Sequence, residues 1–109
     1  MKIELEKMND TVLPSFYGGD GEMVAKIYKD GKNKILKGKL APGCNIGLHR
    51  HETSSEIIFI LSGEGRMLFN GKTEPLTAGE CHYCPQGSEH SLRNDGEADL
   101  IFYAVVPEH

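Results

Sequence analysis

Short β-prone runs, separated by glycine- and proline-containing turns, divide this chain from end to end and constrain its fold most strongly. The runs recur about every 8 to 12 residues, as at Met23–Tyr28, Lys34–Leu40 and Ile57–Leu61. Asn70-Gly71 is the strongest hairpin signal, because both residues tolerate the positive φ of a two-residue turn. No stretch combines the apolar period of a helix with helix caps. The sequence therefore predicts an all-β sandwich or barrel.

Length and charge limit the classes of function. A chain of 109 residues suits a single domain, and its 13 glycines agree with a small barrel that has many turns. A net charge of −4 without any basic run predicts no nucleic-acid partner and no membrane partner. There is no N-terminal apolar signal and no run of roughly 18 apolar residues, so we expect a soluble, cytoplasmic protein.

Residues 1–22 are expected to form an N-terminal arm and loop. Lys2–Met8 has the composition of a short strand, and a glycine-rich flexible loop follows it. A phosphate-binding loop is disfavoured, because no P-loop lysine or strand-to-helix context follows. Phe16 and Tyr17 would serve either as a hydrophobic anchor, which we favour, or as a cover for a pocket mouth.

Two of the predicted strands differ in how their faces are expected to meet solvent. Charged and apolar residues alternate in Lys34–Leu40, which puts the lysines on a solvated outer face. The run Ile57–Leu61 is apolar on both faces. If Glu56 points inward, Ile58 and Ile60 do so too, and Ile57, Phe59 and Leu61 point outward. A second sheet of the chain or a second subunit should then cover that outer face.

Three histidines and one glutamate form the candidate metal site. His49 and His51 are two residues apart, so they share one face of a strand. Glu56 begins a β-prone run, and His90 begins another after a turn. Imidazoles with one carboxylate suit divalent Mn, Fe, Ni, Co, Cu or Zn. Each histidine taken singly has an alternative role as a packed or surface residue.

The spacing of these residues resembles the two motifs of the cupin superfamily. Residues 43–63 read G-x5-H-x-H-x4-E-x6-G, and residues 79–94 read G-x5-P-x-G-x2-H-x3-N, so both motifs are complete. The resemblance is closest to small single-domain bacterial cupins labelled oxalate-decarboxylase-like or mannose-6-phosphate-isomerase-like. It implies that residues 1–109 form one cupin-type double-stranded β-helix, or jelly-roll, barrel. It also implies one divalent metal ion held by His49, His51, Glu56 and His90.

The resemblance leaves the reaction open. The first hypothesis is a metal-dependent enzyme, such as a dioxygenase, decarboxylase, isomerase or lyase, acting on an organic acid, sugar derivative or enolisable ketone. The second is a non-catalytic module in which the metal anchors a small ligand. A purely structural protein is disfavoured, because it would not need four inward-facing ligands. Oxalate decarboxylases carry two cupin domains and a lid acid, which are not recognisable here. Cupins are commonly dimeric, so we expect a homodimer.

Other polar residues are secondary candidates. Second-shell or acid–base roles are open to Tyr28, Tyr83, Tyr103, Arg66, Gln86 and Glu89, although Arg66 also suits a solvated position. Cys81 and Cys84 form a C-x-x-C pattern, but residues three apart on a strand face opposite sides, which disfavours a redox pair. His82 is expected to be structural, His109 to be solvated, and Cys44 to lie in a loop before the histidine pair.

Overall fold

The computed structural model describes every residue from Met1 to His109. Two short 3₁₀ turns lie at Leu5–Lys7 and Phe16–Gly18. The ten strands, in chain order, are β1 (Thr11–Pro14), β2 (Glu22–Lys29), β3 (Asn33–Leu40), β4 (His49–Arg50), β5 (Glu56–Ser62), β6 (Glu64–Phe69), β7 (Lys72–Thr77), β8 (Cys81–Cys84), β9 (Glu89–Arg93) and β10 (Leu100–Pro107). No helix has the length and apolar character needed to cross a membrane.

Two antiparallel sheets form the barrel. The larger sheet has the strand order β1-β2-β3-β10-β5-β8, and the smaller has the order β4-β9-β6-β7. Apolar side chains from both sheets meet in one core, where Phe102 and Leu100 of the larger sheet are buried with Met67 and Leu92 of the smaller. The predicted all-β jelly-roll barrel is confirmed.

Local sequence signals account for the turn between β6 and β7 and for the alternation of buried and exposed side chains on β5. Asn70 and Gly71 have φ values of 48° and 82°, as expected for the two-residue turn between β6 and β7. On β5, Glu56, Ile58 and Ile60 are buried, whereas the outward side chain of Phe59 is 47% exposed. The period of two predicted from Glu56 is therefore confirmed, and no second sheet of this chain covers the outer face.

The prediction for the N-terminal arm is wrong in detail. Lys2–Met8 contains the first 3₁₀ turn instead of a strand, and Glu4 forms local ion pairs with Lys2 and Lys7 there. A strand lies instead at Thr11–Pro14, which pairs with β2 at the edge of the larger sheet. Pro14 is unfavourable in a strand, so local composition did not reveal this one, which pairs with β2 across the loop of residues 15–21.

Candidate metal centre

The two sheets and one loop bring the four predicted residues together. Antiparallel pairing of β4 with β9 places His49 opposite His90. His51 follows β4, and its backbone is held by hydrogen bonds with Gly87 and Ser88. Glu56 is the first residue of β5 and points inward. The cluster therefore joins the smaller sheet to the larger one.

The ligand atoms of these side chains converge. Nε2 of His90 lies 3.1 Å from Nε2 of His51 and 3.1 Å from Nε2 of His49. Oε1 of Glu56 lies 2.9 Å from Nε2 of His90 and 3.1 Å from Nε2 of His51. It lies 4.0 Å from Nε2 of His49. All four atoms are within 4.8 Å of one another.

These spacings suit a metal ion. With bonds of about 2.1 Å, the ligand atoms around one ion are about 3 to 4 Å apart. The three histidines and Glu56 are therefore able to hold a metal ion.

Hydrogen bonds on the far side of two imidazoles orient the rings. Nδ1 of His49 lies 2.8 Å from the carbonyl oxygen of Gly47. A carbonyl only accepts, so this Nδ1 carries the proton and Nε2 keeps a free lone pair. Nδ1 of His51 lies 2.9 Å from Oγ of Ser54, a hydroxyl that is able to accept in the same way. Such partners fix metal-binding tautomers.

The third imidazole is oriented by a chain of two further residues. Nδ1 of His90 lies 3.0 Å from Nε2 of His82, and Nδ1 of His82 lies 3.2 Å from Oε1 of Glu74. A carboxylate accepts, so His82 donates to Glu74 through Nδ1 and accepts from His90 through Nε2. This arrangement again leaves the Nε2 lone pair of His90 free for a metal.

The protonation states also suit metal binding. Burial alone would raise the pKa of the Glu56 carboxyl, but hydrogen bonds from His49, His51 and His90, when their Nε2 atoms carry protons, hold that pKa well below its usual range. Glu56 is therefore ionised in the metal-free cluster. A cation bound at the Nε2 atoms would take the place of those protons. Burial lowers the pKa of His90 and favours the neutral imidazole. Deprotonated ligands of this kind are what a metal requires.

The cluster opens onto two connected spaces. An inner chamber of about 20 Å³ lies between the cluster and the apolar core, which is room for about one water molecule or ion. A polar vestibule of about 400 Å³ lies outside it. Both spaces are lined by Tyr17, Lys34, His49, His51 and Val106. An ion in the cluster would therefore be reached from the vestibule.

Tyr17 covers the mouth of the chamber. Its ring stacks on His49 with centroids 4.0 Å apart and planes 9° apart. Tyr17 has a φ of 53°, which non-glycine residues rarely adopt. A Cβ at Gly47 would collide with the Tyr17 carbonyl oxygen, so glycine allows the two loops to touch. Of the two roles considered for Tyr17, the structure supports the cover of the pocket mouth.

Several secondary candidates lie away from the cavity. None of the six residues considered for acid–base roles lines the chamber or the vestibule. Arg66 instead pairs with Asp95 at 3.0 Å, and Gln86 donates to the Glu52 carbonyl oxygen. Whether such a side chain faces the cavity or solvent depends on strand register, and composition alone does not determine the register. His109, expected to be solvated, is exposed but lies 2.8 Å from the Ser55 hydroxyl.

The cysteine prediction is confirmed, and the role of His82 is more specific than predicted. Cys84 is buried, Cys81 is exposed, and all three cysteines are free. His82, Cys84 and His90 form a second group with ligand geometry. Burial raises the pKa of the Cys84 thiol to about 11, so the thiolate that binds metals is disfavoured. The spacing of eight residues between His82 and His90 gave no sequence signal for their contact.

A comparison with known families identifies the class of protein. The model of the cupin domain family matches residues 36–106. That range includes all four clustered residues and most of the larger sheet. The chain belongs to the cupin family, as its two motifs indicated.

Individual relatives extend this finding. The oxalate-binding protein of Thermotoga maritima is 35% identical over 112 residues, covering 97% of this chain and 93% of that protein. A crystal structure of a "predicted oxalate decarboxylase" from Thermotoga maritima matches with a TM-score of 0.93 and 33% identity, and covers 100% of both chains. Mannose-1-phosphate guanylyltransferase of Klebsiella pneumoniae is 37% identical over 82 residues, which are 75% of this chain and 17% of that protein.

Proposed function

We propose that the protein binds one divalent transition metal ion through His49, His51, Glu56 and His90 and uses it to bind a small organic acid. The observation that carries this proposal is the convergence of three Nε2 atoms and one carboxylate oxygen at spacings of 2.9 to 4.0 Å. When bound, the ion supplies a Lewis acid that neutralises and polarises a carboxylate. Mn, Fe, Ni, Co, Cu and Zn all suit this donor set.

Oxalate is the first ligand to test. It is small enough for the vestibule, and a divalent ion attracts its anionic carboxylate oxygens strongly. The name of the Thermotoga maritima oxalate-binding protein, at 35% identity, supports the same choice. An uncharged sugar or ketone would gain less from a metal ion, because the ion attracts anionic oxygen more strongly.

Titration calorimetry of oxalate into metal-loaded protein tests this proposal. The expected result is saturable binding that disappears after chelation of the metal and in His49→Ala. Equal binding to loaded and chelated protein would contradict the role of the metal. His109→Ala is a matched control, because it removes an exposed histidine outside the cluster.

A metal-dependent enzyme is the second candidate. The position of Tyr17 at the mouth of the chamber favours it, because a phenol beside the cluster is able to act as an acid or base. Incubation of metal-loaded protein with ¹³C-oxalate, followed by NMR, separates the two candidates. New carbon signals that His90→Ala abolishes would support an enzyme, and unchanged oxalate with retained binding would support a binding module.

We also infer that the protein forms a homodimer. Four large apolar side chains are exposed on the outer face of adjacent strands of the larger sheet: Phe59, Leu61, Tyr83 and Tyr103. An exposed group of this kind on a folded domain marks an association surface. A second copy of the chain would cover it.

A further inference from the structure

Lys34 points into the barrel, against the prediction that the lysines of β3 face solvent. It shares its parity on β3 with Leu36, Gly38 and Leu40, all of which are buried. Lys37 and Lys39 have the opposite parity and point outward. Alternation along a strand therefore brings one ammonium group toward the metal cavity.

The charge of Lys34 has no partner in the protein. No carboxylate lies within 4.0 Å of its ammonium group, whereas Lys26 and Lys37 pair with Asp10 and Glu6. Among the 14 residues that line the inner chamber, Lys34 is the only lysine or arginine. A half-buried cation beside an apolar wall is stabilised by an anion, and the protein does not provide one.

Three other charged residues of the vestibule already have partners. Arg50 donates to the Gly87 carbonyl oxygen and lies 3.7 Å from Glu89. Asp30 accepts hydrogen bonds from two backbone N–H groups, and Glu108 accepts from Thr53. Lys29 and Glu52 also line the vestibule without a side-chain partner, but neither lines the inner chamber. Lys34 is therefore the one unpaired charge that lines both spaces.

The shape of the cavity places a ligand beside this charge. The inner chamber, at about 20 Å³, is too small for an organic acid. A ligand must occupy the vestibule and reach the ion through the opening that Lys34, Tyr17 and the two histidines share. One end of the ligand then meets the ion while another part lies next to Lys34.

We propose that Lys34 binds the second carboxylate of a small dicarboxylate whose first carboxylate binds the ion. This inference rests on the proposed function, and it specifies the ligand class of that site. Lysine acts as a point charge that forms charge-assisted hydrogen bonds without demanding one geometry. The site would therefore favour dicarboxylates over acids that chelate the ion but carry one negative charge.

Titration calorimetry with three acids tests the role of Lys34 in metal-loaded protein. Oxalate and malonate have two carboxylates, whereas glycolate has one carboxylate and a hydroxyl group. Lys34→Met should weaken the binding of oxalate and malonate by about tenfold to a hundredfold. It should weaken the binding of glycolate by less than about threefold. Lys34→Arg should retain most of the dicarboxylate affinity.

Lys39→Met is the matched control, because it removes the same charge from the outward face of the same strand. It should leave all three affinities unchanged, and every variant should keep the wild-type metal content. If Lys34→Met does not fold, Lys34→Gln, which keeps a polar side chain, replaces it.

The outcomes separate this inference from the proposed function. Unchanged malonate affinity in the variant, or equal losses for all three acids with metal retained, would overturn the role of Lys34 alone. If wild-type protein takes up metal but binds none of the acids, the proposed acid ligand is wrong, and the dicarboxylate class with it.

Discussion

The inner and outer faces of the larger sheet carry different chemistry, although alternate residues of the same strands build both. On β5, Glu56 lies against the three clustered histidines and Phe59 is exposed. On β8, His82 is buried behind His90, and Tyr83 is 57% exposed. On β3, Lys34 points inward and Lys39 outward. A shift of one residue in register would exchange the metal cavity and the surface, so the site depends on strand register.

The largest expected difference between the faces concerns stability. Phe102 is 1% exposed in the core, and its neighbour Tyr103 is 38% exposed. Phe102→Ala should lower the free energy of unfolding by about 3–5 kcal/mol, as measured by urea titration. Tyr103→Ala should lower it by about 1 kcal/mol or less. Similar losses for both variants would contradict the assignment of the faces.

A second comparison concerns metal affinity. His82→Ala removes the group that accepts from Nδ1 of His90, so the metal dissociation constant should rise about tenfold to a hundredfold. Competition with a chromophoric chelator measures this constant. Tyr83→Ala, on the opposite face of the same strand, should leave it unchanged. Equal effects would show that β8 matters only for packing.

Acid should lower the free energy of unfolding, because buried groups on the inner face take up protons when the chain unfolds. Burial lowers the pKa values of His82 and His90 below the ordinary 6.5, so below about that pH the unfolded chain binds more protons than the folded chain. The free energy of unfolding of chelated protein therefore falls as the pH falls through 6.5. The ionised Glu56 contributes stability above about pH 4.5, which is lost as the pH falls through its lowered pKa.

Urea titrations between about pH 8 and about pH 5 measure this dependence. His82→Gln removes one of the titrating groups and should flatten the profile in the metal-free protein. Stability that is constant or that rises on acidification would contradict the neutral, buried state of the two histidines.

The smallest expected effect on stability lies on the outer face. Phe59→Lys should change the free energy of unfolding of the monomer by about 0.5 kcal/mol or less, yet it should shift the protein from dimer to monomer. Sedimentation velocity measures the shift. Val12→Lys, at an exposed site on the edge strand β1, should leave the mass unchanged. A wild-type monomer at all concentrations would contradict the dimer.

The sequence was most informative where a local rule determines the structure. The Asn70-Gly71 turn and the alternation of β5 followed from backbone preference, and the clustering of His49, His51 and Glu56 followed from the cupin motifs. The inward position of Lys34 was also accessible, because it has the same parity as Leu36 and the opposite parity to Lys37 and Lys39. Its charge suggested a solvated position for Lys34, but its alternation with Lys37 and Lys39 along β3 predicts an inward one.

Other features depend on tertiary contacts. Thr11–Pro14 becomes a strand because β2 lies beside it. His82 meets His90 because β8 of the larger sheet faces β9 of the smaller one. Tyr17 reaches His49 because its loop crosses that of Gly47. No local pattern encodes these meetings, so the sequence did not predict them.

The central claim is that three histidines and one glutamate on the inner faces hold a metal ion. Elemental analysis of untagged wild-type protein, beside a His49→Ala/His90→Ala variant and the His109→Ala control, tests it most directly. We predict near-stoichiometric divalent metal in the wild type and the control, and none in the double variant. A wild type that is metal-free and cannot be loaded, or a double variant that keeps its metal, would contradict the claim.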